Sequence, residues 1–208
     1  FGTYYKNSII VTAAQLIGNL IIVLFAGYGF AKYRFRFKTF FFMLILCTTM
    51  IPWVATIIPL YIVATNLGWI NTYVGLIIPG AADAFSIFLA RNFISGIPDP
   101  LIEAARIDGA GERKIFFNIV LPSVKPLIAV ITINKMVSSW NAFQWPLLVV
   151  NSDELRTIPI AIANLSSRFY DSYDLKMAAA TMAIIPVLIL YIAFQKHFVE
   201  GVTLSGIK

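Results

Sequence analysis

Residues 8–31 carry no charged side chain, residues 39–82 carry none, and residues 177–195 carry none. Each run reaches the roughly 18 residues that a helix needs to cross a bilayer. The middle run is long enough for one span and the start of another, and residues 126–150 qualify apart from Lys135. A soluble domain holds about 25% charged residues. This chain of 208 residues holds 12%, with 59% hydrophobic. The expected fold is therefore all-α, a polytopic membrane helix bundle read as one transmembrane domain over residues 1–208. The candidate spans are residues 8–31, 39–64, 73–93, 123–147 and 173–195.

Sixteen Lys and Arg against ten Asp and Glu leave a net charge of +6. In a membrane protein that excess reads as topology rather than nucleic-acid binding, because basic residues collect in cytoplasmic connections. Lys32, Arg34, Arg36 and Lys38 crowd the first connection, and residues 65–72 of the second hold no charge. Arg91, Arg106, Arg113, Lys114 and Lys125 lie on or beside the third. The fourth sets Asp153, Glu154, Asp171 and Asp174 against Arg156 and Arg168, and Lys196 and Lys208 follow the last run. The alternation puts the first and third connections and the C-terminus in the cytoplasm. An odd span count with an external start leads to the expectation of one further span before Phe1.

Pro52, Pro59, Pro79-Gly80 and Pro186 interrupt the runs, each removing or weakening a backbone hydrogen bond. Two readings stand for the first three: ordinary kinks, or helices shaped around a central path whose cavity satisfies the freed carbonyls. Pro186 reads as a kink. Cys47, the one cysteine, excludes an intrachain disulfide and reads as a small packed residue. His197, the one histidine, reads as interfacial. No G-x-x-x-x-G-K-[ST] phosphate loop, H-E-x-x-H or nucleophile–base set is present, so the chain is not expected to be an enzyme by itself, nor to hold a metal.

Residues 95–123 form a connection far longer than the usual 4–6 or so, and it is patterned as helix. Gly96-Ile97-Pro98 breaks the preceding span, Asp99 suits an N-cap and Pro100 the first helical position. A helix is expected from Pro100 to about Asp108, stopped by Gly109 and Gly111. Leu101, Ala104, Ala105 and Asp108 recur at three- and four-residue spacing and share a face. A second run, Glu112 to Val120, is expected to end at Leu121-Pro122. From pattern alone the segment fits either a partner-docking helix or a surface helix at the lipid headgroups.

Glu103-Ala104-Ala105, then Gly109, then Ile119, Leu121 and Pro122 resemble, without a gap, the signature of permease subunits of bacterial ATP-binding-cassette importers. Trp140-Asn141-Ala142-Phe143-Gln144-Trp145-Pro146, Leu155-Arg156-Thr157-Ile158-Pro159, Met177-Ala178-Ala179-Ala180 and Phe198-Val199-Glu200-Gly201-Val202-Thr203 are similar to the carbohydrate-uptake branch, in particular the second permease of maltose-type systems. The resemblance implies a type I importer permease fold in the bacterial plasma membrane, with residues 96–122 as a cytoplasmic coupling segment. It implies a second permease, ATPase subunits that bind the ATP and magnesium, an extracytoplasmic binding protein, and a sugar as substrate. Glu103, Ala104, Ala105, Asp108, Gly109, Ile119, Leu121 and Pro122 are then expected at the ATPase contact. Residues 148–172 are expected as an external loop, with Pro159, Ile160, Asn164 and Arg168 towards the binding protein. A permease for another solute shares the Glu103 signature. An ion-coupled secondary transporter would also show broken helices, but it needs no soluble coupling helix.

Charges inside spans are costly and normally face a cavity or a partner. Asp83, Asn141 and Gln144, with Trp140 or Trp145 as an aromatic platform, have the residue types that line a sugar path. The competing reading has Asp83 and Lys135 bonded to neighbouring helices and both tryptophans anchored at the outer interface.

Overall fold

The computed structural model describes residues 1–168 and 173–205, and the backbone alone of residues 166–168, 190 and 193–205. The described residues are α-helical with short 3-10 and π turns, and no strand occurs among them. In order the helices are α1 (Gly2–Lys32), α2 (Lys38–Cys47), α3 (Trp53–Asn66), α4 (Tyr73–Ile77), α5 (Ala84–Ser95), α6 (Asp99–Ile107), α7 (Glu112–Ile115), α8 (Leu121–Ser123), α9 (Lys125–Trp140), α10 (Gln144–Val149), α11 (Ile158–Arg168) and α12 (Tyr173–Ser205).

Helix α1 is built for lipid. Its exposed face carries Ile9, Ile17, Ile21 and Phe25, each more than half exposed, at four-residue steps or a multiple of them. Asn7, Ser8, Thr12, Gln15 and Asn19 are buried. In water the polar stripe would face outward; here it faces protein, where lipid cannot satisfy it. By length and composition α1 is the one described helix able to cross a membrane alone. Three further pairs pass together but bend by more than 40° at a short break: Lys38–Met50 with Trp53–Asn66, Tyr73–Gly80 with Ala84–Ser95, and Glu112–Ser123 with Lys125–Trp140.

Several candidate spans are thus not single rods. The 39–64 run breaks at Ile51, which is extended at φ −84°, ψ 119°, because the ring of Pro52 disfavours helix in the residue before it. Pro59 sits inside α3 without ending it. The 73–93 run breaks before Asp83, which caps α5 rather than lying mid-span: its Oδ1 accepts the Ser86 backbone N–H at 2.7 Å. The 123–147 run ends its long helix at Trp140 and resumes at Gln144. Residues 148–172, expected as loop, contain α11. Helix α12 continues through Pro186.

The described residues divide into two compact units. The first is built on Phe1–Asn19, Pro52–Ala81 and the described part of Ile133–Gln195. Its core holds Val11, Ala64, Leu76, Trp145, Val149, Val150 and Ile160. The buried polar stripe of α1 ties this core to neighbouring backbone. The Asn7 amide donates to the Glu154 and Arg156 carbonyls at 2.7 and 2.9 Å and accepts from the Tyr73 hydroxyl at 2.6 Å. Gln15 donates to the Leu76 carbonyl at 2.8 Å, and Ser8 Oγ accepts the Ile158 N–H at 2.9 Å. Asn71, in the left-handed region at φ 57°, receives both Asn151 and Ser152 backbone N–H groups on its Oδ1.

Gly75 is the tightest point of this unit. A Cβ there would lie 2.2 Å from the Trp69 carbonyl oxygen, and the Gly75 carbonyl accepts the Trp145 indole N–H at 2.8 Å. The obstacle is backbone and cannot rotate away. Gly75→Ala is expected to destabilise the protein by about 3 kcal/mol, the upper part of the overpacking range, read as a lower melting temperature and less monodisperse protein in detergent. Gly29→Ala, whose Cβ meets nothing within 4 Å, is expected to leave both unchanged.

The second unit is built on Leu20–Ile51 and Ala82–Thr132. Its core joins the second half of α1 (Val23, Leu24, Tyr28) to α5 (Ile87, Ala90, Ile94). The same core takes in Ile97, Ile102, Ile115, Phe116, Val120 and Val124 from the 96–124 stretch.

Candidate functional site

The 96–122 segment is anchored at both ends and offers one exposed helix. Helix α6 starts one residue earlier than expected, at Asp99, with Pro98 as its N-cap and no side-chain cap bond. The Asp99 carboxylate is engaged elsewhere: Lys32 Nζ, at the end of α1, contacts its Oδ1 at 2.6 Å and also donates to the Ile97 carbonyl. The Lys32 side chain is only 5% exposed, and a charge so enclosed requires a partner, which outweighs a cap bond. The Lys32 hydrogen bond, and then its charge, hold the Asp99 carboxyl below its ordinary range, with Arg34 and Lys38 adding to the effect.

The far end of α6 closes as a Schellman turn. Gly109 N–H donates to Arg106 O at 3.0 Å and Ala110 N–H to Ala105 O at 2.9 Å, with Gly109 at φ +79°. That explains a glycine in this place. Gly109→Ala is expected to cost about 1 kcal/mol, measurable as a lower melting temperature, and to loosen α6.

Beyond the turn, Glu112 receives three donors. Arg106 Nε reaches its Oε1 at 2.8 Å; the Tyr33 and Tyr28 hydroxyls reach its Oε2 at 2.6 and 3.0 Å. The Arg106 and Tyr33 hydrogen bonds hold the Glu112 carboxyl well below its usual range, down to about 2. Glu112 therefore stays ionised at physiological pH and ties the last turn of α6 to the end of α1.

The second helical run does not stop at Leu121-Pro122. Helix α7 widens into a π turn over Phe116–Val120 and continues as α8, and the chain breaks at Val124 (φ −108°, ψ 19°). The wider turn accommodates Pro122, which lacks the N–H that an α-helical ladder needs.

Burial sorts the expected docking residues. Glu103, Ala104, Asp108 and Gly109 are exposed, and so is Pro122. Ala105, Ile119 and Leu121 are half-buried against the core of the unit, so they hold the segment in place and have little surface left for a partner. Ile102, 3% exposed, seats α6. One residue was missed: Ile107, an apolar side chain at the C-terminal end of α6, is 86% exposed. Leu101 is 49% exposed on the same helix.

The path candidates separate differently. Trp140 and Trp145 are 4% and 7% exposed, and their indole N–H groups donate to the Ala183 and Gly75 carbonyls. Neither is an open platform nor an interfacial anchor; both are core residues of the first unit. Asn141 and Gln144 are exposed. Asn141 donates to the Val137 carbonyl at 2.9 Å, and Gln144 accepts the Trp53 indole N–H at 3.1 Å. Gln144 also borders a cavity of about 220 Å³ with Val54, Ile57, Leu147 and Leu148. Trp53, 45% exposed, is the aromatic that sequence reasoning passed over. Asp83 belongs to the second unit as the α5 cap.

Among the residues expected at a binding-protein contact, Ile160 is 2% exposed and belongs to the core, because α11 turns that side chain inward. Pro159 and Asn164 are half-buried. The Arg168 side chain and Phe169 lie outside the described residues.

Comparison with known proteins fits this arrangement. Residues 5–204 match the family model described as binding-protein-dependent transport system inner membrane component. The chain is 36% identical over its whole length to the arabinooligosaccharides transport system permease protein AraQ of Halalkalibacterium halodurans, covering 75% of that protein. It is 36% identical over 94% of its length to the sn-glycerol-3-phosphate transport system permease protein UgpE of Brucella abortus, covering 70% of it. Among solved structures, a chain of a bacterial ABC transporter involved in the import of the acidic polysaccharide alginate superposes with TM-score 0.86 at 29% identity. That match covers 95% of this chain and 75% of the other. The family match over nearly the whole chain, on a helical fold whose first helix is long and apolar enough to cross a membrane, identifies this protein as a member of the binding-protein-dependent transport system inner membrane components.

Proposed function

We propose that this chain is one transmembrane half of an ATP-driven importer for carbohydrate, most simply an oligosaccharide, and that residues 96–122 couple it to the ATPase. The observation that carries the reading is α6: a helix opened by Pro98 and closed by the Gly109 turn, seated by Ile102 and tied through Asp99 and Glu112 to α1, presenting Leu101, Ala104, Ile107 and Asp108 outward. An exposed apolar end on a rigid mount suits a groove in a partner. Such a helix passes a partner's closure to the membrane helices as one body.

The assembly has a second permease beside this chain, two ATPase subunits that bind ATP and magnesium on the cytoplasmic side, and a binding protein that delivers solute from outside. The first and third connections and the C-terminus are cytoplasmic, in keeping with the basic residues there. Asn141, Gln144 and Trp53 of the first unit offer polar groups and an aromatic edge for a sugar. Pro159, Asn164 and Arg168 remain the candidates for the binding-protein contact. Nucleic acid has no part in this reading.

The arabinooligosaccharide and alginate systems among the relatives support carbohydrate as the substrate class. The sn-glycerol-3-phosphate system favours a second reading, a small phosphorylated solute. The reconstituted transporter with its binding protein distinguishes them. A neutral or an acidic oligosaccharide is expected to stimulate ATP hydrolysis and uptake while sn-glycerol-3-phosphate does not; the opposite pattern selects the second reading, and stimulation by none of the three refutes both.

A further inference from the structure

The turn between α1 and α2 is charged, aromatic and strained in a way that coupling does not use. Residues 33–38 read Tyr-Arg-Phe-Arg-Phe-Lys. Phe35 is 44% exposed and Phe37 is 61% exposed. Phe37 stands in the left-handed region at φ 62°, where a side chain costs roughly 1–2 kcal/mol. Its ring has gained little within the chain beyond the Arg36 guanidinium, 5.0 Å from its centroid. An observed backbone outlier of this kind points to a use outside the chain.

The charges are out of balance as well. Lys32 is spent on Asp99 and Arg106 on Glu112. Arg34, Arg36, Lys38 and Arg91 have no carboxylate within ion-pair distance among the described residues. Lys38 donates to the Tyr33 carbonyl at 2.9 Å and the Arg91 guanidinium lies 4.2 Å from the Phe42 ring centroid, so within the turn Arg34 and Arg36 are the cations left for an outside anion. Beside the turn lies a cavity of about 360 Å³ whose wall includes Lys32, Arg34 and Arg106, with Asp99 and Glu103 as its carboxylates. With the two ion pairs set aside, Arg34 and Glu103 balance on that wall, and the net positive charge of the turn rests on Arg36 and Lys38.

We propose that this turn binds the headgroup of an anionic phospholipid, with Arg34 and Arg36 on the phosphate and the Phe35 and Phe37 rings in the interfacial layer. The place is suitable: α1 is long and apolar enough to cross a membrane, and the turn directly follows its last residue, so a spanning α1 brings the turn towards the headgroups. Guanidinium groups match phosphate oxygens in pairs, and aromatic rings favour that depth. The inference requires only that α1 crosses the membrane; it holds or fails whatever solute is carried.

The test uses the assembled transporter in nanodiscs of equal phosphatidylglycerol and phosphatidylcholine, with lipids retained after purification counted by mass spectrometry. The native protein is expected to retain phosphatidylglycerol preferentially. Arg34→Gln and Arg36→Gln should each reduce that preference roughly fivefold, the effect of about 1 kcal/mol per basic residue at an anionic surface. Phe37→Gly, which relieves the left-handed strain, should raise thermal stability in detergent yet lower lipid retention, so misfolding cannot mimic the result. Equal retention of both lipids by the native protein overturns the proposal, as does an unchanged preference in the variants. Loss of the preference to excess inorganic phosphate at constant ionic strength makes the ligand a soluble anion and also overturns it. Release of ATPase subunits by Arg34→Gln with lipid retention unchanged assigns the turn to protein contact instead.

Discussion

Ile107→Glu is expected to leave the permease folded and membrane-inserted while the ATPase subunits no longer co-purify with it. Ile107 is 86% exposed and lies outside the core cluster that seats α6, so its replacement removes nothing that the fold depends on. In a partner groove the same side chain would contribute about 1.5–3 kcal/mol on burial. A glutamate there forfeits that gain and adds the cost of an unpartnered charge. The combined loss of about 3 kcal/mol or more corresponds to at least a hundredfold weaker association. Ile107→Leu, which keeps an apolar surface, is expected to co-purify normally. Normal co-purification of Ile107→Glu would mean that α6 is not the docking helix.

The second large effect is expected at Glu112. Glu112→Gln leaves α6 and its exposed face intact but replaces the anion that Arg106, Tyr28 and Tyr33 share. ATPase subunits should still bind and hydrolyse ATP, while solute transported per ATP falls roughly fivefold, the change that follows from losing about 1 kcal/mol of a charge-assisted tie. Glu112→Asp, shorter by one methylene, should lie between the two. Acid acts on the same tie. Because the folded-state carboxyl titrates near 2, below its ordinary value of 4.5, its stabilisation is complete above about 4.5. It is lost as pH falls through the interval down to about 2. The difference in melting temperature between native and Glu112→Gln protein should therefore be constant at neutral pH and shrink across that acid interval. A constant difference down to the lowest pH would remove the ionised tie from the account.

What could be read in the chain and what could not divides along the range of the interactions. The membrane-crossing length of α1 follows from an uncharged run, and the break at Ile51 follows from the residue after it being Pro52. The helix boundaries of α6 were legible within one residue because Pro98, Pro100 and Gly109 act locally. Glu112 was passed over because two of its partners lie 84 and 79 residues upstream, and no local pattern announces them. Trp140 and Trp145 suited a sugar platform by residue type, but their N–H groups are claimed by distant carbonyls. Helix α11 was taken for loop because Pro159 opens it; a proline is tolerated in a first helical turn, and the apolar Ile160 then points inward. Ile107 shows the same limit from the other side, since its exposure is decided by which face of α6 Ile102 anchors.

The most direct test of the coupling claim is the reactivity of a single thiol at position 107. With Cys47 replaced by serine, Ile107→Cys is labelled with a water-soluble maleimide in the permease alone and in the transporter assembled with its ATPase subunits. The account predicts rapid labelling in the first case, strong protection in the second, and crosslinking of position 107 to an ATPase subunit by a short bifunctional reagent. Equal labelling rates in the two cases, with no crosslink, would contradict it.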